Sequence, residues 1–183
     1  MEFTPLWKVE IAKVNLLDRV NNEALIEEVH LLHCLCPRES DRALALTKEQ
    51  FPALVAFRDD ILLPQVHAYI RNVFGVVPSD ITVDTFGKVF GDKEGLGHHL
   101  HGNSMLTTVY YPEDSSAGMT LFDPRFNASR GYPRSIRDGH FGDHYITPKA
   151  GDLWIMPSYL QHNVEPNKQD MRISLINDFH FRA

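Results

Sequence analysis

The pattern of apolar and polar positions changes period near residue 80. Before that point apolar residues recur at helical spacing. Leu25, Ile26, Val29 and Leu32, joined by His33, follow Asn22, which reads as an N-cap, and Pro37 closes the helix. A second helix is expected to open at the capping-box run Thr47-Lys48-Glu49-Gln50. Its apolar stripe runs from Phe51, Leu54 and Val55 through Ile61, Leu62 and Val66 to Tyr69, Ile70 and Val73. Pro64 should kink or split it, and Gly75 should stop it. Ahead of both helices, residues 3–13 read as an opening strand with Trp7, Val9 and Ile11 on one face.

From Ile81 the period is two. Strands are expected over 81–90, 98–101, 105–111, 118–123, 144–147, 151–156, 162–165 and 171–181, with Gly95, Gly97, Pro112-Glu113-Asp114 and Ala150-Gly151 marking turns. Eight short strands in succession predict a mainly β fold, a sandwich or jelly roll, whose N-terminal helices cover one sheet face. The chain reads as a single domain over 1–183. Residues 1–80 form a helical support region and 81–183 a jelly-roll core. Residues 124–143 stand apart as a long loop without a clear element. The loop holds Arg125, Arg130, Arg134 and Arg137 against two aspartates, together with Phe126, Tyr132 and Phe141. Connections of this length often serve as functional lids, and a solvated loop partly ordered by packing is the plain alternative.

Composition narrows the picture. The 183 residues are 43% hydrophobic, enough for one core and against wholesale disorder. A net charge of −6 argues against blanketing nucleic acid or an anionic membrane. No apolar run reaches the roughly 18 residues of a membrane span, and Met1-Glu2-Phe3-Thr4-Pro5 is not expected to begin a secretory signal. Cys34 and Cys36, one residue apart, are poorly placed to pair with each other, and a reduced, cytoplasmic setting is expected.

Ten histidines change the question, because six of them lie between positions 98 and 162. In an extended strand His99 and His101 project to one face and His98 to the other. Two imidazoles so placed suit one Fe, Zn, Cu or Ni ion, although a polar strand edge fits the same spacing. His162 follows the buried-strand pattern of Leu153-Trp154-Ile155-Met156, and Arg172 lies ten residues beyond it. On the closing strand Arg172, Ser174 and Ile176 share a face, and no acidic residue joins them until Asp178. An inward arginine is costly without an anion, so a bound carboxylate is an attractive partner.

These motifs resemble the 2-oxoglutarate- and Fe(II)-dependent oxygenases, which are built on a double-stranded β-helix, a cupin-like jelly roll. The resemblance spans roughly residues 80–180 and rests on HLHGNSMLTTVYYPED, LFDPR, AGDLWIMPSYLQHNVEPN and RISLIN. It implies Fe(II) bound by His99 and His162, with 2-oxoglutarate bound by Arg172 and Ser174. Tyr111 matches a tyrosine that some members use to contact 2-oxoglutarate. His101 occupies the position where the family usually has an acid. Three arrangements are open, of which the first is the reading taken: His101 as the third ligand of a three-histidine site, a carboxylate such as Asp123 or Asp143 from elsewhere, or a third position left to water.

The implied activity is that of a dioxygenase, with hydroxylation as its default outcome. Oxidative decarboxylation of 2-oxoglutarate would be coupled to oxidation of a substrate C–H bond. The partners are then 2-oxoglutarate, O2 and an unidentified substrate, a small molecule or a protein side chain. The rivals are a three-histidine cupin dioxygenase that does not use 2-oxoglutarate and a non-catalytic cupin-like metal- or ligand-binding protein. A jelly-roll sheet edge in need of cover fits a homodimer. His140 and His144 flank the long loop near the expected substrate side, while His30, His33, His67 and His180 read as surface or core-edge residues.

Overall fold

The computed structural model describes residues 8–36 and 44–182. Helix α1 spans Asn22–Leu35. Its N-cap is Asn21 rather than Asn22: the Asn21 Oδ1 accepts from the Ala24 N–H at 3.3 Å, while Asn22 Oδ1 accepts from the Tyr110 hydroxyl at 2.7 Å. Pro37, the expected stop, and Trp7 lie outside the described residues.

The second helical run starts later than Thr47. Thr47 closes a turn with Gln50 and Phe51, and α2 (Pro52–Ala56) begins on a proline, which loses nothing there because the first-turn N–H has no helical partner. The cap is tertiary: the Glu28 carboxylate of α1 accepts from the Ala53 and Leu54 N–H groups at 2.9 and 2.8 Å. Pro64 does not split the run. A π-helical stretch, Phe57–Leu62, leads directly into α3 (Leu63–Phe74), and the Leu63 N–H bonds to the Arg58 carbonyl five residues back. The wider turn accommodates the proline's missing N–H. Gly75 ends α3 at φ +77°, a left-handed conformation that costs glycine no Cβ clash.

Among the described residues nine strands form two antiparallel sheets: β1 Ala12–Asn15, β2 Asp80–Phe90, β3 Leu96–His99, β4 Leu106–Tyr110, β5 Met119–Leu121, β6 His144–Ile146, β7 Asp152–Pro157, β8 His162–Val164 and β9 Arg172–Arg182. The major sheet runs β1-β7-β4-β9-β2 and the minor sheet β3-β8-β5-β6. The eight expected strands all form, with ends moved by one or two residues. The opening strand is later and shorter than 3–13, and its early residues 3–7 lie outside the described part. The region read as helical support therefore also supplies an edge strand, β1, paired with β7.

Strand alternation divides the apolar residues into two cores. Leu106, Tyr110, Leu153, Ile155, Ile173, Leu175 and Phe179 face the helices and join Leu25, Val29, Leu32, Leu54, Leu62, Val66 and Ile70. Val109, Tyr111, Met119, Leu121, Ile146, Met156 and Leu160 fill the space between the sheets. β4 is buried on both faces for this reason. Residues 124–143 contain two short helical segments where a loop without elements was expected: a 3₁₀ turn at Phe126–Ser129 and α4 at Arg134–His140. α4 is seven residues long and its described side chains are exposed, so it carries no apolar stripe for a periodicity reading to detect.

Candidate metal centre

The minor sheet sets two of the three histidines side by side. His99 ends β3, His162 opens β8, and the two are direct cross-strand partners. His101 arrives differently from the expected strand alternation. β3 ends at His99, Leu100 turns outward, and the His101 N–H then bonds to the Ser158 carbonyl at 3.0 Å. This turn buries His101 beside the other two. Ring centroids lie 4.2 Å apart for His99–His162, 5.2 Å for His101–His162 and 5.5 Å for His99–His101. One ligand atom from each lies within 4.8 Å of the others.

All three rings have their Nδ1 engaged. Those of His99 and His162 meet the carbonyls of Gly97 and Leu160, each at 2.8 Å, and that of His101 meets the Asp178 carboxylate at 3.0 Å. Such contacts fix the tautomer with Nε2 as the nitrogen each ring offers a metal. Burial, reinforced by neighbouring His99, lowers the His162 pKa to about 4, so it is a neutral donor at pH 7. Three imidazoles oriented in this way fit a borderline metal such as iron.

A narrow cavity joins these rings to Arg172, Ser174 and Tyr111. Arg172 is 1% exposed. Its Nη2 donates to the Tyr111 hydroxyl at 3.2 Å and its Nη1 to Ser174 Oγ at 3.5 Å, while Nε has no partner. Phe90 and Tyr111 rings flank the guanidinium at 5.5 and 5.3 Å. Among the described residues no carboxylate lies within ion-pair distance of it. A buried cation lacking a counter-charge is unfavourable, so this cradle is built for an anion. Burial also pushes the Tyr111 hydroxyl's pKa up, keeping it a protonated donor.

Other sequence candidates lie elsewhere. Asp123 binds Arg125, and its backbone N–H bonds to Asp143 at 3.0 Å, so both acids anchor the start and end of the 124–143 segment. Arg125 holds the Asp123 pKa down at about 2. Met105 shares the odd parity of Thr107, Val109 and Tyr111, which alone would turn it inward, but it is 58% exposed, lying just before β4 begins at Leu106. His98 points away, and its ring meets that of Phe122 at a centroid distance of 4.2 Å, tilted by 39°. His144 pairs with Leu121, which pairs with His162, so it stands on the same face two strands away. It lines a separate cleft of about 460 Å³ with Val9, Ile11, Phe122 and Arg125.

Sequence reasoning passed over Asp178 as part of the centre. Its signal was present: it is the acid that shares a face of β9 with Arg172.

A family model described as "Putative 2OG-Fe(II) oxygenase" matches residues 88–178. Over these residues the chain belongs to the 2-oxoglutarate- and Fe(II)-dependent oxygenases. The match spans β2 to β9 and includes the three histidines, Tyr111, Arg172, Ser174 and Asp178. The oxygenase shares its fold with a prolyl-4-hydroxylase from Pseudomonas putida (17% identity, TM-score 0.59, covering 97% of this chain and 91% of that one). The viral collagen prolyl hydroxylase of Paramecium bursaria Chlorella virus-1 has the same fold (11% identity, TM-score 0.63, 100% and 97% covered). So does HygX from Streptomyces hygroscopicus, solved with nickel and 2-oxoglutarate bound (14%, 0.59, 94% and 83%). No curated protein sequence matches the chain.

Proposed function

We propose that this oxygenase couples oxidative decarboxylation of 2-oxoglutarate to hydroxylation of a substrate C–H bond. In this reading His99, His101 and His162 hold Fe(II), and Arg172, Ser174 and Tyr111 hold 2-oxoglutarate. The observation that carries it is the buried Arg172 guanidinium, without a carboxylate partner, in the same cavity as three oriented imidazoles. The metal with its co-substrate supplies activation of O2. The chain supplies the rest. Arg172 and Tyr111 orient a carboxylate, the backbone carbonyls and Asp178 hold the imidazole tautomers, and Val109, Met119 and Ile176 keep the cavity walls apolar. The cleft lined by Leu121 and His144 is the approach for a small molecule or an exposed protein side chain, because Leu121 pairs directly with His162.

The test is succinate release from 2-oxoglutarate with Fe(II), ascorbate and O2, compared among wild type, His162→Ala and Arg172→Ala. Succinate from the wild type alone supports the reading. Iron-dependent O2 consumption that ignores 2-oxoglutarate would instead favour a three-histidine cupin dioxygenase. Metal binding with neither activity would favour a binding protein.

A further inference from the structure

We infer that Asp178 is a positioning residue of the metal centre, returning through His101 the negative charge that an acidic ligand at position 101 would have supplied directly. The inference rests on the metal-binding reading above. His99 and His162 place Nδ1 against neutral backbone carbonyls, whereas His101 places it against a carboxylate. Both Asp178 oxygens lie 3.0 Å from that nitrogen. The contact is sheltered, with side chains 5% exposed for His101 and 16% for Asp178.

Asp178 is itself held. Thr107 Oγ1 donates to its Oδ1 at 2.7 Å from the directly paired position on β4. The nearby His180 is occupied elsewhere, with Nε2 on Asp84 and Nδ1 on the Asn103 carbonyl. A carboxylate accepting from Nδ1–H makes the imidazole a stronger donor at Nε2 and sets a charge close to a divalent ion in a poorly solvated site. The acid that position 101 lacks is thus displaced outward by one residue.

Co(II) titration of the full chain reads this directly, with Asp178→Ala, Asp178→Asn and Thr107→Val beside the wild type. Asp178→Ala should weaken Co(II) binding about 10–100-fold. Asp178→Asn keeps an acceptor but no charge, so it should lose part of that. Its anaerobic Fe(II)–2-oxoglutarate charge-transfer band should also move to higher energy. Thr107→Val should fall between Asn and wild type.

Should Asp178→Ala fail to fold, Asp178→Asn carries the test. Wild-type Co(II) affinity and an unmoved band in Asp178→Asn would overturn the inference and reduce Asp178 to a structural role. Loss of metal as complete as in His162→Ala would overturn it by making Asp178 a direct ligand. Absence of Co(II) binding by the wild type would instead sink the metal-binding reading itself.

Discussion

Arg172 and Tyr111 meet at 3.2 Å in a cavity from which both are fully withdrawn from solvent. A guanidinium in such a place costs folding free energy until an anion joins it. Arg172→Met should therefore leave the ligand-free protein at least as heat-stable as the wild type. The wild type alone should gain stability from 2-oxoglutarate, by about 2.7 kcal/mol at a hundredfold excess over Kd. Thermal melts with and without the co-substrate check both halves. A Met variant that still gains stability from 2-oxoglutarate would place the binding site elsewhere.

Tyr111→Phe removes one hydroxyl and little volume. Its loss should raise the KM for 2-oxoglutarate on the order of tenfold, from about 1.5 kcal/mol for a hydrogen bond to a charged group. Arg172, retained, would keep the co-substrate in register, so kcat should change less. Steady-state decarboxylation at varied 2-oxoglutarate separates the two constants.

Helix α1 lies so close to β2 that a Cβ at Gly87 would sit 2.5 Å from the Val29 carbonyl oxygen. Gly87→Ala should cost about 1–3 kcal/mol by overpacking. At this chain length that lowers Tm by roughly 2–4 °C per kcal/mol. Gly97→Ala, where an added Cβ meets nothing within 4 Å, is the control and should melt close to the wild type.

Asp123 has its folded-state pKa lowered to about 2 by Arg125, from an ordinary value of 3.8. Its pairing stabilises the protein fully above pH 3.8, and the contribution disappears as pH falls through 2. It amounts to no more than about 2 kcal/mol. Acid exposure of the 124–143 segment, followed by hydrogen exchange or limited pepsin cleavage, should set in at higher pH after Arg125→Ala. An unchanged acid profile in that variant would remove Asp123 and Arg125 as the anchor.

The strands were legible because alternation is a local property. The parity of β9 already set Arg172, Ser174 and Asp178 on one face, and that of β4 set Thr107 and Val109 on one face. The helices were legible in their apolar stripes but less so at their ends, because Glu28, a residue of another helix, caps α2. The short helices of 124–143 had no periodic signal to read, and Met105 is exposed because it lies just before the start of β4, where parity no longer implies burial.

The sequence by itself determined the family's residues and their spacing: two histidines one residue apart, a third far downstream, and an arginine ten beyond it. It favoured His101 at the third ligand position and left open a carboxylate such as Asp123 or Asp143, or water. Tertiary structure brought His101 to the other two imidazoles, tied Asp123 and Asp143 to the ends of the 124–143 segment, and set Asp178 behind His101 across 77 residues of chain. Spacing along one strand is a matter of backbone geometry. Which side chain stands behind which depends on the register between distant strands and on where the chain leaves one sheet for the other, and only packing of the whole fold settles that.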